Sequence, residues 1–314
     1  MLAVMDIGTN SCRLLLAEQV GAERKIKKVQ AFLRTTRIGE GMCGEDRIIS
    51  PAAIDRTLAA LREYAAKIEE HHAQEVILVA TQAVREAKNR DALVKEIKNE
   101  LNWELVILSG DSEARLSYLG AVAGLALKAP ALVVDIGGGS TEFAWSENNG
   151  GVQGVSVAIG ALRLLEAPKT DAEVIERLQK ALANVGNAER AEKTRGIQAV
   201  AGSLLVGVGG TCTTAAAVSL NMAEYDSDKV QGHHLTIETI HRQYNMLKDL
   251  EPHERLSIAG VPKGREDIIV PGLQILIAVM IALGEKVITI SDQDLLYGLI
   301  LELAPIRLSP FPSL

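Results

Sequence analysis

Asp6-Ile7-Gly8-Thr9-Asn10-Ser11 and Asp135-Ile136-Gly137-Gly138-Gly139-Ser140-Thr141 are two copies of one pattern. In each, an apolar run ends in an aspartate, a glycine-bearing polar turn follows, and a second apolar run resumes. This spells strand, tight turn, strand. Glycine lets backbone N–H groups approach a ligand closely, and the hydroxyls of Thr9, Ser11, Ser140 and Thr141 add further donors. Two such turns describe a clamp for one phosphoryl group. Asp135 and Glu142 bracket the second turn and Asp6 opens the first. These hard oxygen ligands suit Mg²⁺ or another divalent cation, which prefers carboxylates, waters and substrate phosphates. The bland reading of Asp6 is a turn-capping aspartate.

Three further places carry chemistry. Gly207-Val208-Gly209-Gly210-Thr211 opens a helix, where anions are favoured. Arg85 follows a strand at a helix start, and its planar fork suits phosphate oxygens; the plain alternative is an ion pair with Glu86 or Asp91. Glu113 stands near a helix N-terminus, where a carboxylate is also simply a good partner for the helix dipole. His71-His72 closes an amphipathic helix and reads as structural, while His233-His234 follows Gly232 in a polar loop. Cys12, Cys43 and Cys212 are too scattered for a zinc spacing or a disulfide framework.

The elements that must position these residues follow the same duplication. The third strand is expected over residues 27–38, and Ser50-Pro51 opens a helix with Ile54, Leu58, Leu61, Ala65 and Ile68 on one face. Strands are expected at 76–80 and 105–108, and helices at 91–101 and 111–127. Lys128-Ala129-Pro130 marks a hinge, after which the layout repeats, with two helical stretches before residue 204. A buried helix at 268–283, a strand at 287–290 and a last helix close the chain. The reading is an α/β protein of two domains, 1–128 and 129–314, facing each other across a cleft, with the last helix, about 300–314, packing back onto the first.

The chain has 314 residues, 47% of them hydrophobic and only 3% aromatic. Packing therefore rests on aliphatic side chains, and no aromatic platform for single-stranded nucleic acid exists. A net charge of −7 carries no basic stripe, so nucleic acid is not expected as a partner. The longest apolar stretch is broken by Pro271, Gly272 and Gln274, and no signal peptide is read at the start, so no membrane association and a cytoplasmic location are expected.

On these residues the chain resembles the exopolyphosphatase / guanosine pentaphosphate phosphatase (Ppx/GppA) family of the actin-like ATPase superfamily. Asp6 to Ser11 with Arg13-Leu14 looks like that family's first phosphate loop, and Arg37-Ile38-Gly39-Glu40-Gly41 like its next block. Ala80 to Asn89 is similar to its arginine-bearing stretch, Glu113-Ala114-Arg115-Leu116 to the segment of its catalytic glutamate, and Asp135 to Glu142 to its second phosphate loop. Gly207 to Thr211 looks like the remnant of a nucleotide-contacting motif. The resemblance is to the short form, without an HD-type domain.

It implies two actin-like (ribonuclease H-like) domains and a Mg²⁺-dependent phosphoanhydride hydrolase. Glu113 is then the general base, with Asp135 and Glu142 catalytic and, with Asp6, metal-binding. Thr9, Asn10, Ser11, Arg85, Gly137, Gly138, Gly139, Ser140, Thr141, Gly210 and Thr211 would hold phosphate. The substrate is inorganic polyphosphate or guanosine pentaphosphate of the stringent response, and a homodimer is expected. A sugar or acid kinase would need a fuller adenosine site, and a non-catalytic alarmone sensor would not need Glu113, Asp135 and Glu142 intact.

Overall fold

The computed structural model of the chain describes residues 1–20, 25–146, 151–184 and 204–303. The first half runs β1 (Leu2–Ile7), β2 (Ser11–Val20), β3 (Lys25–Thr35), α1 (Pro51–Glu70), β4 (Glu75–Ala80), α2 (Gln82–Glu86), α3 (Arg90–Leu101), β5 (Leu105–Ile107) and α4 (Gly110–Gly124). The second half begins β6 (Ala131–Ile136), β7 (Thr141–Ser146), β8 (Val152–Val157), α5 (Ala161–Glu166) and α6 (Asp171–Asn184). It continues β9 (Leu204–Val208), α7 (Gly209–Ser219), α8 (Ser227–Val230), β10 (His234–Thr236), α9 (Ile237–Lys248) and α10 (Pro252–Arg255). The chain then runs through α11 (Ile269–Leu283), β11 (Val287–Ile290) and α12 (Leu295–Leu303). The second helical stretch expected before residue 204, and residues 304–314 of the expected last helix, lie outside the described residues.

The strands form two sheets of the same design. The first has the order β3-β2-β1-β4-β5 and the second β10-β11-β9-β6-β7-β8. In each, three antiparallel neighbours (β1 to β3, β6 to β8) continue into parallel pairing, β1 with β4 and β6 with β9. The repeat read in the sequence is therefore a repeat of topology, within the expected α/β class.

Each sheet is covered on both faces. In β1, Ala3, Met5 and Ile7 join the cluster under α1 and α3, whereas Leu2 and Val4 point to the other side and meet α12. In β6, Leu132, Val134 and Ile136 face the helices of the second lobe, and Ala131 and Val133 face α4 through Ala114, Tyr118 and Ala121. Thus α4, which precedes residue 128, spreads its apolar face over the second sheet, while α12 returns to the first. A cut at residue 128 follows chain order rather than packing.

The two exchanged helices cross where neither has a side chain. A Cβ at Gly120 would lie 2.1 Å from the Asp294 carbonyl oxygen, and one at Gly298 would lie 2.0 Å from that of Leu116. Glycine at both positions brings the backbones together and sets how the two lobes meet. The helix expected from Ser50-Pro51 has the anticipated cap, with the Ser50 hydroxyl accepting from the Ala53 N–H. Among the described residues no helix is long and apolar enough to cross a membrane.

Candidate active site

Strand alternation decides which way the first carboxylates point. Asp6 shares the α12 side of β1 with Leu2 and Val4, and Asp135 shares the α4 side of β6 with Ala131 and Val133. Hairpin register then assigns each a cross-strand neighbour: Arg13 for Asp6 and Glu142 for Asp135. One lobe sets opposite charges side by side and the other like charges. The Asp6 Oδ2 accepts from Arg13 Nη2 at 2.9 Å, and Arg13 also reaches Asp294 at the start of α12. Asp135 and Glu142 are held instead by hydroxyls, Ser117 Oγ donating to Asp135 Oδ2 at 2.7 Å and Ser156 Oγ to Glu142 Oε1 at 2.6 Å.

The two polar turns meet. A Cβ at Gly138 would lie 3.2 Å from Asn10 and Thr9 of the other lobe. Together they wall a cavity of about 100 Å³ with Asp6, Glu113, Asp135 and Glu142. A phosphoryl group fits within such a space. Gly210 and Thr211 complete the wall from the start of α7, so thirteen of the expected site residues share one cavity: this pair with Asp6, Thr9, Asn10, Ser11, Glu113, Asp135, Gly137, Gly138, Gly139, Ser140 and Glu142.

Two expected phosphate ligands do not line it. Thr141 starts β7 and its Oγ1 donates to the Ile159 carbonyl at 2.7 Å, which turns the hydroxyl away. Arg85 stands behind the wall: its Nη1 donates to Glu113 Oε2 at 2.9 Å and to the Leu108 carbonyl at 2.8 Å. It therefore meets the carboxylate expected to act as base. His233 and His234 pair with Ser219 and Thr289 outside the cavity wall.

Burial governs the electrostatics. Desolvation, with Asp135 alongside, pushes Glu142 up to about 7, and desolvation, with Asp294 nearby, pushes Asp135 up to about 6. Glu113 is raised well above the ordinary carboxylate range by desolvation and Glu142, against the opposing pull of Arg85. Asp6 is raised by burial although Arg13 pulls it down. Five carboxylates, counting Asp294, thus stand against the guanidinium groups of Arg13, Arg85 and Arg265.

The donor set fits a cation. Asp6 Oδ1 is buried without a hydrogen-bond partner among the described residues, a costly state that a cation or its water relieves. No three His, Cys, Asp or Glu side chains among the described residues gather as a self-sufficient metal cage. The fit rests on the oxygen donors of Asp6, Asp135 and Glu142, the ligand chemistry that suits an ion such as Mg²⁺ with water and phosphate completing its shell.

Sequence reasoning gave no individual role to several residues at the site. Arg13 occupies a face of β2 otherwise filled by buried Leu15 and Ala17, and a charge on an apolar face was the available signal. Arg265 lines the same cavity from the loop before α11 and is lowered to about 10 by burial and by Arg13. Ser117 sits one helical turn after Glu113, so α4 offers both to the site. A neighbouring cavity of about 470 Å³ shares Arg13, Gly209, Gly210 and Arg265 with the first. Its remaining wall includes Phe32, Met222, Tyr225, Val261 and Tyr297.

Comparison with known proteins places these features in a family. The Ppx/GppA phosphatase family matches over residues 17–306. Exopolyphosphatase 2 of Mycobacterium tuberculosis is 34% identical over 322 residues, covering 96% of this chain and 98% of that protein. The bifunctional 3-dehydroquinate synthase/phosphatase of Fusobacterium nucleatum is 32% identical over 317 residues, and the chain spans only 46% of its length. The guanosine-5'-triphosphate,3'-diphosphate pyrophosphatase of Aeromonas hydrophila is 28% identical over 303 residues, with 59% of its length spanned. The Ppx/GppA family member of Aquifex aeolicus superposes with a TM-score of 0.73 at 27% identity, covering 98% of this chain and 99% of that one.

Proposed function

The chain belongs to the Ppx/GppA phosphatase family, and on that premise we propose that it is a metal-dependent phosphoanhydride hydrolase releasing terminal orthophosphate from inorganic polyphosphate. The observation that carries this reading is the meeting of two donor-rich turns, one per lobe, around a cavity that holds a phosphoryl group, with Glu113 in its wall. The similarity to Exopolyphosphatase 2 over nearly the full length of both proteins supports the polymer as substrate.

Thr9, Asn10 and Ser11 bind the terminal group from one lobe, and Gly138, Gly139 and Ser140 bind it from the other. Glu113, with Oε2 held by Arg85, uses its other oxygen to orient a water and take its proton. The water oxygen forms a bond to the terminal phosphorus, the bridging P–O bond breaks, and the shortened chain leaves as an anion. Asp6, Asp135 and Glu142 are the residues that would hold Mg²⁺, which when bound neutralises phosphate charge. Positioning and charge compensation do the rest.

A second reading rests on the larger neighbouring cavity. At about 470 Å³ it lies within the usual range for small-molecule sites, and its wall offers a nucleoside aromatic and aliphatic surface beside the cations Lys28, Lys263 and Arg265. Guanosine pentaphosphate would place its terminal phosphate in the small cavity and its base in the large one. Rates of phosphate release from tripolyphosphate, long-chain polyphosphate and guanosine pentaphosphate, measured with Mg²⁺ at equal phosphate-end concentration, separate the readings. A kcat/KM dominated by the nucleotide would replace the polymer as substrate. No release from any of the three would reject the hydrolase itself.

A further inference from the structure

Backbone carbonyls are repelled by phosphate, so an anion-binding turn must keep its C=O groups turned away. In the second turn they are captured one after another. The Gly137 carbonyl accepts from the Ala161 N–H at 2.9 Å, and the Gly138 carbonyl accepts from the Leu162 and Arg163 N–H groups at 2.8 and 3.1 Å. The Gly139 carbonyl accepts from the Arg163 side chain, Nε to O at 3.0 Å. Across a trans peptide the N–H points opposite to the preceding C=O. The N–H groups of Gly138, Gly139 and Ser140 are thereby aimed to the side away from α5, and none of them has a protein acceptor among the described residues. Gly160 permits this, since a Cβ there would lie 2.4 Å from the Gly139 carbonyl carbon.

The same guanidinium crosses to the other lobe. Arg163 Nη2 donates to Glu86 Oε2 at 3.2 Å, and Glu86 is the neighbour of Arg85, which grips Glu113. Glu86 also meets Arg47 of its own lobe at 3.4 Å, so it is anchored from behind. Arg163 is 20% exposed at its side chain, and Glu86 is 22% exposed, so the link is partly shielded from water.

We propose that Arg163 is a positioning residue with two separable duties: its Nε–H orients the phosphate-binding turn, and its Nη2 keeps that turn in register with the helix bearing Arg85. This rests on the hydrolase reading above. The first duty governs affinity for phosphate and the second governs alignment of the bound group with Glu113.

The test is a split between KM and kcat. Arg163→Lys keeps a cation for Glu86 but has no N–H at the Nε position. It raises KM for tripolyphosphate, and the Kd for inorganic phosphate measured by calorimetry, by about tenfold with kcat within about twofold of wild type. Glu86→Ala keeps the turn braced and gives the opposite split, with kcat about fivefold lower and phosphate affinity within twofold. Arg163→Ala shows both losses. Thermal melting of each variant checks that it is folded. Parallel changes of KM and kcat in the two single variants, or an Arg163→Lys enzyme with wild-type phosphate affinity, would overturn the proposal. If wild type releases no phosphate, the hydrolase reading falls and the inorganic-phosphate titration alone decides the brace.

Discussion

Glu113 sits where a base must be both raised and oriented. Burial beside Glu142 pushes its carboxyl up, and Arg85 fixes one oxygen. Glu113→Gln keeps the shape and the Arg85 contact but accepts no proton. Its kcat should fall by about 10²–10⁴ with KM for polyphosphate changed less than about threefold, as read by phosphate release. A proportionate rise in KM would assign Glu113 to binding instead. A base works only when ionised, so kcat/KM should fall as the solution is acidified through the raised range of Glu113 and Glu142, the latter near 7. A profile flat from pH 8 down to pH 5 contradicts that assignment. At this scale the sequence was partly legible. Turn pattern pointed to ten of the wall's thirteen expected positions, because hairpin geometry is local; Gly210 and Thr211 were read from a glycine turn at a helix start, and Glu113 as base from the family resemblance. Thr141 and Arg85 were legible as donors but not in direction, since the Ile159 carbonyl and Glu113 that capture them come from distant segments.

The elements explain why each turn holds its shape. In the first lobe the Thr9 and Asn10 carbonyls accept from the Gly39 and Arg37 N–H groups, at 3.0 and 2.9 Å. In the second lobe α5 does the equivalent work on Gly137 and Gly138. These braces are backbone contacts from segments far along the chain, so no residue type announced them. The crossing of α4 over α12 was hidden for a related reason: chain order placed α4 with the first lobe, whereas its apolar face covers the second sheet. Gly298→Val should test the crossing. A side chain there must displace the Leu116 backbone, costing about 1–3 kcal/mol and lowering the melting temperature by several degrees. An unchanged melting temperature would show that the helices separate freely.

The whole molecule is two copies of one topology closed around a buried acidic cluster, and that cluster has a stability consequence. Glu142 takes up its proton near 7 when folded and near 4.5 when unfolded. Between these values the folded state binds more protons, so its contribution is fully present below pH 4.5 and is lost as pH rises through about 7. For this buried group the loss is about 3 kcal/mol in the metal-free protein. Melting metal-free protein at pH 5 and pH 8 should show the decline, and Glu142→Gln should flatten it. A steeper decline in the variant contradicts the burial argument. The architecture and the facing of its two turns across a cleft were legible because the strand–turn–strand unit occurs twice, while the placement of α4 on the second sheet was not.

The central claim is that both turns grip the same phosphoryl group. A double-mutant cycle on kcat/KM for tripolyphosphate with Asn10→Ala and Ser140→Ala measures it directly. Two residues on one phosphoryl group should couple by about 1 kcal/mol or more. Losses that add within about 0.3 kcal/mol would mean that the two turns serve separate ligands.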